Sequence, residues 1–531
     1  MLWFVIIVVL LILAYYKTIK PLSYWKDRGV VYKKSYPIVG SFATIFFQRR
    51  AFFNYIIDLY REFSNERYFG VYQFGKSALY IRDPDLIKKI GIKDFDYFSD
   101  HNGFTATELD PLTKRSLLNL QGQRWRDMRA ILSPSFTSSK MKIIFQLVSE
   151  CAEDFTDYFK NQPNDLHELE IKDVFTRFTN DAIATTAFGF KCNSVQNNND
   201  EFYLIAKKVT TITGLRFLVF LMYILFPNIS RFLKLRTTPV SVTNFFRRIV
   251  KETIRQREKE GLIRPDMIHL LMEARKGNVT KEEAHLPDTG FATAEESNLI
   301  RLHKQKSIEL SEDDIAAQAL VFIFGGFDTT AALLSFTAYE LAINPGIQER
   351  LQKEIDDTLS GCNGKLTYEA LNKMKYMDMV ISETLRKWPP GFQNDRMCVK
   401  DYTIEPLNPW EKPLLIEKGT LMLFPVSGIH HDPQYFPNPE VFDPERFNDE
   451  NRHNIKPCSY IPFGVGPRNC IASRFALMES KILIFFLLSK FNLRRIERTP
   501  VPLKIAKATI NFVAEGGFWL GLERRTSPLN Y

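Results

Sequence analysis

Cys470 stands near the C-terminal end of the chain, in the segment 462–481 that reads PFGVGPRNCIASRFALMESK. Gly464, Gly466 and Pro467 predict a turn just before the cysteine, and the residues after it predict a helix. The positive end of a helix dipole and the free amides of its first turn stabilise a thiolate. We therefore interpret Cys470 as a thiolate that binds a metal.

Three other interpretations of the cysteine segment fit it less well. A dinucleotide-binding loop has a third glycine where this chain has Asn469, and Pro467 removes a backbone donor from the turn. A catalytic cysteine–histidine pair has no nucleophile signature around Cys470, and an inert buried cysteine, the usual case, needs no such turn. A single thiolate holds a bare metal ion poorly. It can hold one carried by a macrocycle, which makes haem the natural candidate.

The longest predicted helix carries the second group of residues that could do chemistry. It reads LSEDDIAAQALVFIFGGFDTTAALLSFTAYELAINP, begins at a capping box of Ser311 and Asp314, and ends at Asn344 and Pro345. At about 1.5 Å per residue it runs about 50 Å, enough to cross a whole domain. Its middle is apolar on every side, so we expect this helix to be buried.

Small and polar residues interrupt the helix at its buried middle: Gly325, Gly326, Asp328, Thr329 and Thr330. Each glycine costs a helix about 1 kcal/mol relative to alanine, and a buried carboxylate without partners costs more. A close-packed glycine pair with threonines bonded to the backbone is one explanation. We favour a widened helical turn at an active site, where a hydroxyl and an acid meet a small ligand and water.

Composition narrows the classes of protein that fit. The 531 residues carry a formal net charge of +9, and 45% are hydrophobic, enough for a large core. The basic residues are spread along the chain, which argues against a nucleic-acid partner and leaves open a basic face for an acidic protein or an anionic membrane. No CxxC occurs, so neither a disulfide framework nor a zinc site is predicted from the six cysteines: Cys151, Cys192, Cys362, Cys398, Cys458 and Cys470.

The N-terminal end predicts a membrane anchor. The stretch MLWFVIIVVLLILAYY is apolar to Tyr16 and is followed by lysines, with no cleavage site of a signal peptide. We predict a retained anchor over residues 1–20, a connector over 21–50 and one catalytic domain over 51–531. The catalytic domain would then face the cytosol.

The remaining patterns place the smaller elements. The stretch 69–83 alternates and turns at Gly75, which predicts a hairpin, and Pro84 predicts the start of a helix. Strand-like residues return near 402–404 and 420–426 in an otherwise helical chain.

Two further stretches are unusual in composition. The polar stretch 276–309 predicts a connecting loop. The segment 215–226, LRFLVFLMYILF, is too short to span a bilayer, and for it we favour contact with lipid over a place in the core.

Five motifs of this chain, in the same order, resemble those of the cytochromes P450, a family of haem-thiolate monooxygenases. Residues 463–470, FGVGPRNC, resemble the family's cysteine loop, and residues 325–330, GGFDTT, resemble its oxygen-activation helix. The other three are WxxxR at Trp125 and Arg129, ExxR from Glu383 to Arg386, and PERF at residues 444–447. The resemblance covers essentially the whole chain and is greatest to microsomal members from insects.

The resemblance implies a fold and a cofactor. The fold is that of the cytochromes P450, mainly α-helical with small β-sheets, as a single catalytic domain on an N-terminal anchor in the endoplasmic reticulum membrane. Haem is the implied cofactor, with Cys470 as the iron ligand and arginines at the haem propionates, since arginine suits carboxylates. The implied cofactor-binding residues are Trp125, Arg129, Arg396, Phe463, Arg468 and Cys470.

The resemblance also assigns structural roles. Glu383, Arg386 and Arg446 would form a buried network that holds the cysteine loop, whereas spacing alone leaves an ordinary surface ion pair open for the first two. His430 and His431 are interpreted as structural residues rather than second iron ligands. At Ala472 the chain departs from the glycine usual in the family, and we expect the pocket to absorb one methyl group.

The implied reaction inserts one oxygen atom from O₂ into a lipophilic substrate, xenobiotic or endogenous. Asp328 and Thr329 would be the catalytic residues that relay protons. No NADPH or flavin site occurs in the sequence, so the implied electron donor is NADPH–cytochrome P450 reductase, with cytochrome b5 as a further candidate. Two alternatives are a haem-thiolate isomerase or dehydratase, against which Thr329 argues, and a non-catalytic haem-binding protein.

Overall fold

The computed structural model describes residues 18–526 apart from 74, 103–109, 212–214, 226, 265, 277–290, 294–309, 410 and 508–510, together with Phe4, Val8, Ile12, Tyr15 and Tyr16. Most of the predicted anchor at 1–20 and most of the polar stretch 276–309 therefore lie outside the described residues.

The described part of the chain is mainly helical, as the sequence predicts. In chain order its α-helices are α1 (Tyr24–Asp27), α2 (Ala43–Phe46), α3 (Phe52–Glu62), α4 (Pro84–Lys88), α5 (Pro111–Arg115), α6 (Gly122–Leu132), α7 (Ser138–Lys160), α8 (Ile171–Ile183), α9 (Glu201–Thr210), α10 (Leu215–Leu225), α11 (Pro227–Phe232), α12 (Val240–Glu260), α13 (Met267–Arg275), α14 (Glu312–Ile343), α15 (Pro345–Gly361), α16 (Tyr368–Lys373), α17 (Lys375–Lys387), α18 (Val426–His430) and α19 (Ser473–Lys490).

The strands of the described residues form small sheets. They are β1 (Tyr68–Gln73), β2 (Lys76–Ile81), β3 (Leu166–Glu170), β4 (Asn394–Met397), β5 (Tyr402–Ile404), β6 (Leu414–Ile416), β7 (Leu421–Phe424), β8 (Phe491–Arg494) and β9 (Trp519–Arg524). One sheet has the order β1-β2-β7-β4, a second has β3-β9-β8, and β5 pairs with β6. Strands β2 and β7 run parallel, with Ala78 opposite Leu421, and the other strand pairs are antiparallel. The strands predicted near 402–404 and 420–426 are thus confirmed.

The predicted hairpin at Gly75 is confirmed. Strands β1 and β2 pair antiparallel from Tyr68 opposite Ile81 onward. Gly75 has φ of +80°, a left-handed value that glycine adopts without steric cost. Pro84 begins α4 as predicted.

Residues of the predicted connector are fixed to this sheet. Trp25 of α1 is fully buried, its indole donates to the Val71 carbonyl at 3.1 Å, and its amide donates to the Tyr72 hydroxyl at 3.0 Å. The Trp25 ring lies 2.4 Å from where a Cβ on Gly70 would stand, so only glycine fits opposite it. The part of the connector around Trp25 therefore packs against the sheet.

Helix α14 begins as predicted, with Ser311 accepting from the Asp314 amide and Asp314 accepting from the Ser311 amide. The helix is a regular α-helix through Gly325 and Gly326, so the predicted widening of this turn is wrong. The two glycines have different surroundings in this regular helix. A Cβ on Gly325 would meet open space, and Gly326 lies against the Ile183 side chain of α8, at 2.8 Å from a Cβ built there.

Helix α14 runs through the centre of the protein. Its C-terminal half is buried in one apolar core together with residues of α7, α17 and α19, and its N-terminal half is buried in a second core with residues of α6, α9, α12 and α13. Among the described residues α14 is the one helix long and apolar enough to cross a membrane, and most of it is buried inside the protein. It is therefore a core helix that presents its middle to the functional site.

Candidate active site

The cysteine loop and the middle of α14 line the same cavity. The cavity has a volume of about 860 Å³ and is lined by Cys470 and its loop, by Gly325 and Thr329 of α14, and by residues of β4. This size is typical of cofactor and small-molecule sites. The structure therefore brings the Cys470 thiol and the Thr329 hydroxyl to the same cavity.

The loop before Cys470 is a tight turn. The Cys470 amide donates to the Phe463 carbonyl at 2.8 Å, which closes the turn beneath the sulfur. Gly464 and Gly466 have φ of +79° and +71°, values that favour glycine. A Cβ on Gly466 would also lie 1.8 Å from the carbonyl oxygen of Gly91. The second glycine is thus required by a backbone contact as well as by the turn.

The Cys470 thiol is accessible from the cavity but otherwise enclosed by protein. Burial raises the pKa of the thiol, whereas a hydrogen bond from the Ala472 amide and the positive charge of Arg129 act to lower it. Ala472 is the N-cap of α19, which begins at Ser473. Ala472 therefore serves the sulfur through its backbone, and its methyl group does not remove that donor.

Arg468 is anchored beside the loop. Its Nε donates to the Ser99 carbonyl at 2.7 Å, its Nη2 donates to the Leu120 carbonyl at 2.8 Å, and its guanidinium lies 3.9 Å from the centre of the Trp125 ring. Burial lowers the pKa of Arg468 to about 9, and the nearby charge of Asp100 acts in the opposite direction. Arg468 remains cationic at neutral pH, with the Asp100 carboxylate 3.3 Å from its Nη2.

Arg396 and Arg129 are held in the same way. Nη2 of Arg396 donates to the Val465 carbonyl at 2.7 Å, and burial lowers its pKa to about 10. Arg129 binds Asn469 twice, through Nη1 to its carbonyl and through Nη2 to its side-chain oxygen, each at 2.8 Å. These arginines line the cavity that Cys470 enters.

The hydrogen-bond donors of Arg468 and Arg396, together with the Cys470 thiol, fit haem. Nη1 of Arg468 and Nε of Arg396 are buried and have no hydrogen-bond partner among the residues the structure describes. Buried cationic donors without partners are costly, and arginine pairs most strongly with carboxylates. A ligand that presents carboxylates to the arginines and a metal to Cys470 satisfies both groups. Haem presents both, through its propionates and its iron.

The predicted partners of the cysteine loop lie together. Arg386 binds Glu383 through Nε and Nη2, both at 2.8 Å, and both side chains are fully buried. Arg446 lies 3.5 Å from the same carboxylate, and the Asp443 amide donates to it at 2.9 Å. Burial raises the pKa of Glu383, and the charge of Arg386 counteracts that shift. The alternative of a surface pair does not apply.

His430 joins this network to the cysteine loop. Nη1 of Arg386 donates to the His430 carbonyl at 3.1 Å, and Nε2 of His430 accepts from the Ile461 amide at 3.0 Å. Burial lowers the pKa of His430 to about 3. His431 bonds instead to the Ser427 carbonyl at 2.8 Å. Neither histidine lines the cavity.

The polar residues of α14 divide between two environments. Thr329 lines the cavity, and its hydroxyl donates to the Gly325 carbonyl. Asp328 does not line the cavity: its carboxylate lies 3.0 Å from Nζ of Lys172 on α8, which also donates to the Asp328 carbonyl at 2.6 Å. Asp328 was expected to lack a partner, but Lys172 is paired with it. No local pattern in the sequence connects these two residues.

Three other site residues were missed from the sequence. Asn469 binds Arg129, and Asp395 accepts from the ring of His101, which lines the cavity. Asn469 stands inside the recognised motif, so its position beside Cys470 was an available signal. No local pattern pointed to His101, because its partner Asp395 is 294 residues away in the chain.

Aromatic side chains form much of the remaining wall. Phe322 and Phe324 of α14 line the cavity, whereas Phe327 is buried against Tyr203. Helix α10 contributes Phe217, Phe220 and Tyr223 to the wall. Leu215 and Leu218 of the same helix are exposed at 76% and 57%, so α10 has one side on the cavity and another on the surface.

Comparison with known proteins identifies the family. The sequence profile of the family Cytochrome P450 matches residues 32–515. Relatives include cytochrome P450 9e2 of Blattella germanica, 44% identical over 95% of this chain and 94% of that protein. Probable cytochrome P450 9f2 of Drosophila melanogaster is 39% identical over 95% of each chain, and cytochrome P450 6k1 of Blattella germanica is 34% identical over 99% of this chain and 98% of that protein. With the cysteine loop and the buried ExxR pair in place, the chain belongs to the cytochrome P450 family of haem-thiolate monooxygenases.

Proposed function

We propose that this protein is a monooxygenase of the endoplasmic reticulum membrane that oxidises lipophilic compounds with electrons from NADPH–cytochrome P450 reductase. One observation carries the proposal: Cys470 and Thr329 share a single cavity whose wall is rich in aromatic side chains. Such a lining binds lipophilic molecules by removing their apolar surface from water. Xenobiotic and endogenous lipid-like compounds both fit this description.

Bound haem would supply the iron at which dioxygen is reduced and one oxygen atom is inserted into the substrate. The Cys470 thiolate would donate electron density to that iron, which favours cleavage of the O–O bond. The Ala472 amide and the charge of Arg129 favour the deprotonated sulfur. Arg396 and Arg468 would hold the propionates, and Phe463 lies at the cavity beside the cysteine turn.

Thr329 is the hydroxyl that we assign to proton transfer. It borders the cavity, and rotation about its χ1 can turn the hydroxyl from the Gly325 carbonyl toward a bound ligand. Asp328 and Lys172 form a pair whose side chains are 22% and 10% exposed, so the acid is in contact with solvent. We assign to Asp328 the supply of protons from that side, as a general acid.

Replacement of Thr329 by alanine tests this assignment. In the reconstituted enzyme, Thr329→Ala should keep its haem but give less oxygenated product and more peroxide for each NADPH consumed. Thr337→Ala is the matched control, because Thr337 bonds to the carbonyl four residues earlier on the same helix but lies outside the cavity. A product-to-NADPH ratio unchanged by Thr329→Ala would contradict the assignment, and no NADPH consumption by the parent enzyme would favour an isomerase.

Two exposed lysines beside the cysteine loop mark the proposed docking site for the reductase. The segment that meets Gly466 through Gly91 carries Lys88 and Lys93, both exposed and without an ion pair among the described residues. Acidic partners are attracted to such a surface in a salt-dependent way. We therefore expect the reductase to dock on the side of the protein that carries the cysteine loop.

Charge reversal tests the docking site. Lys88→Glu with Lys93→Glu should raise the reductase concentration needed for half-maximal turnover several-fold at low salt, while haem content stays the same. Lys259→Glu is the control, because Lys259 is also an exposed lysine but lies on α12, which packs on α14. Equal effects of the control and the double variant would place the reductase elsewhere.

A further inference from the structure

His101 lines the cavity together with Arg396 and Arg468. It lies in the segment between α4 and α5. Its ring nitrogen Nδ1 is 3.0 Å from Oδ1 of Asp395, and Oδ2 of Asp395 accepts from the Asn102 amide at 2.7 Å. The backbone of this segment is fixed as well, since the Met397 amide donates to the Asp100 carbonyl at 2.7 Å. The ring is therefore held in one orientation.

The second ring nitrogen of His101 is left for a ligand. The side chain lines the cavity with Arg396 and Arg468, and 17% of its surface remains accessible. Among the described residues the ring makes one hydrogen bond, the one through Nδ1. A carboxylate partner on Nδ1 requires a proton on that nitrogen, so a second carboxylate on Nε2 is bound best by the doubly protonated ring.

Charged groups around His101 shift its pKa in both directions. Burial lowers its pKa, Asp395 raises it, and the cations Arg396 and Arg468 lower it. Asp100 of its own segment is engaged by Arg468 at 3.3 Å and by the Gly122 amide at 2.9 Å. Without a further anion the ring therefore faces two cations and a single paired carboxylate. An anion at Nε2 would reverse that balance and favour the imidazolium.

We propose that His101 binds a haem propionate through Nε2 and that Asp395 is the positioning residue that orients its ring. His101 then joins Arg396 and Arg468 as a third cationic group at the haem propionates. The proposal rests on haem binding in this cavity and is independent of the substrate, of the reductase and of proton transfer by Thr329.

The test measures how fast the holoenzyme loses haem to an excess of apomyoglobin as the pH is varied. The parent should lose haem slowly at low pH and faster as the pH rises through the pKa of the haem-bound His101, because deprotonation removes the charge. His101→Gln should lose haem about tenfold faster than the parent at the low-pH end, since one charge-assisted hydrogen bond is lost. At high pH the two rates should converge.

Two further variants separate propionate binding from a purely structural pairing with Asp395. His101→Arg keeps a cation that does not titrate, so it should lose haem as slowly as the parent at low pH and show no acceleration as the pH rises. Asp395→Asn should move the parent's pH step to lower pH, because the ring loses the carboxylate that favours its protonation. His453→Gln, at an exposed histidine outside the cavity, should behave as the parent does.

Either of two results would overturn the proposal. One is a ratio of haem-loss rates, His101→Gln over parent, that does not change with pH. The other is a His101→Arg variant that loses haem as fast as His101→Gln, which would show that the imidazole serves only to join its segment to β4. Neither result depends on turnover, so they are distinguishable from a failure of the monooxygenase proposal.

Discussion

Replacement of Arg386 by leucine should be among the most damaging single changes in this protein. The guanidinium is fully buried and donates to Glu383 twice, to the His430 carbonyl and to the Val441 carbonyl. In Arg386→Leu the Glu383 carboxylate keeps the Asp443 amide and a 3.5 Å approach from Arg446. Breaking a buried pair by removing one partner costs about 3–5 kcal/mol.

The cost can be read from urea unfolding of the holoenzyme, followed by the Soret absorbance of the haem. With urea slopes of about 1–3 kcal/mol per molar, the midpoint should fall by at least about 1 M. Lys276→Leu is a control, because Lys276, the residue directly after α13, pairs with Glu273 at the same three-residue spacing but is 53% exposed. An exposed pair of this kind contributes about 0–1 kcal/mol.

The double variant Glu383→Leu with Arg386→Leu completes the test. It removes both charges, so it should be more stable than Arg386→Leu alone if the cost comes from an uncompensated buried carboxylate. A midpoint for Arg386→Leu as high as that of Lys276→Leu would refute the reasoning. A double variant less stable than the single one would show that packing, and not charge, dominates at this site.

Two other predictions concern the cysteine loop. Cys470→Ser should lose the thiolate-type Soret band of the reduced carbon monoxide complex, and a normal band in that variant would contradict the ligand assignment. Gly466→Ala should sharply lower the yield of haem-loaded protein, measured by the same spectrum. Its Cβ would stand 1.8 Å from the Gly91 carbonyl oxygen, whereas at Gly464, the control position with similar φ, the nearest atom is 3.4 Å away. Equal yields of the two alanine variants would show that φ alone matters.

Local patterns predicted a large part of the fold. The turn at Gly75, the capping box of α14 and the helix start at Pro84 depend on residues within a few positions, and all three are confirmed. The cysteine turn was likewise readable from its own glycines, because backbone conformation is fixed within the loop. Local chemistry was sufficient wherever the interaction is local.

Contacts between distant segments were not predictable in this way. The sequence placed an unpaired acid at Asp328, but Lys172 of α8 supplies its partner. The glycines of α14 were interpreted as a distortion, but the structure uses Gly326 for close packing and Gly325 for open space in a regular helix. His101 and Asp395, 294 residues apart, carry no mark in the sequence of their pairing. Tertiary packing decided each of these cases.

The hydrogen bonds of Arg468 have a consequence for the biosynthesis of the protein. Its guanidinium binds the carbonyl of Ser99, 369 residues earlier in the chain, and that of Leu120, 348 residues earlier. At a synthesis rate of about 5–20 residues per second, the ribosome adds this length in about 20–70 s. During that time the nascent chain holds one wall of the pocket without the loop that carries the thiolate. Haem can therefore be held between this wall and the thiolate only after Cys470 has been synthesised.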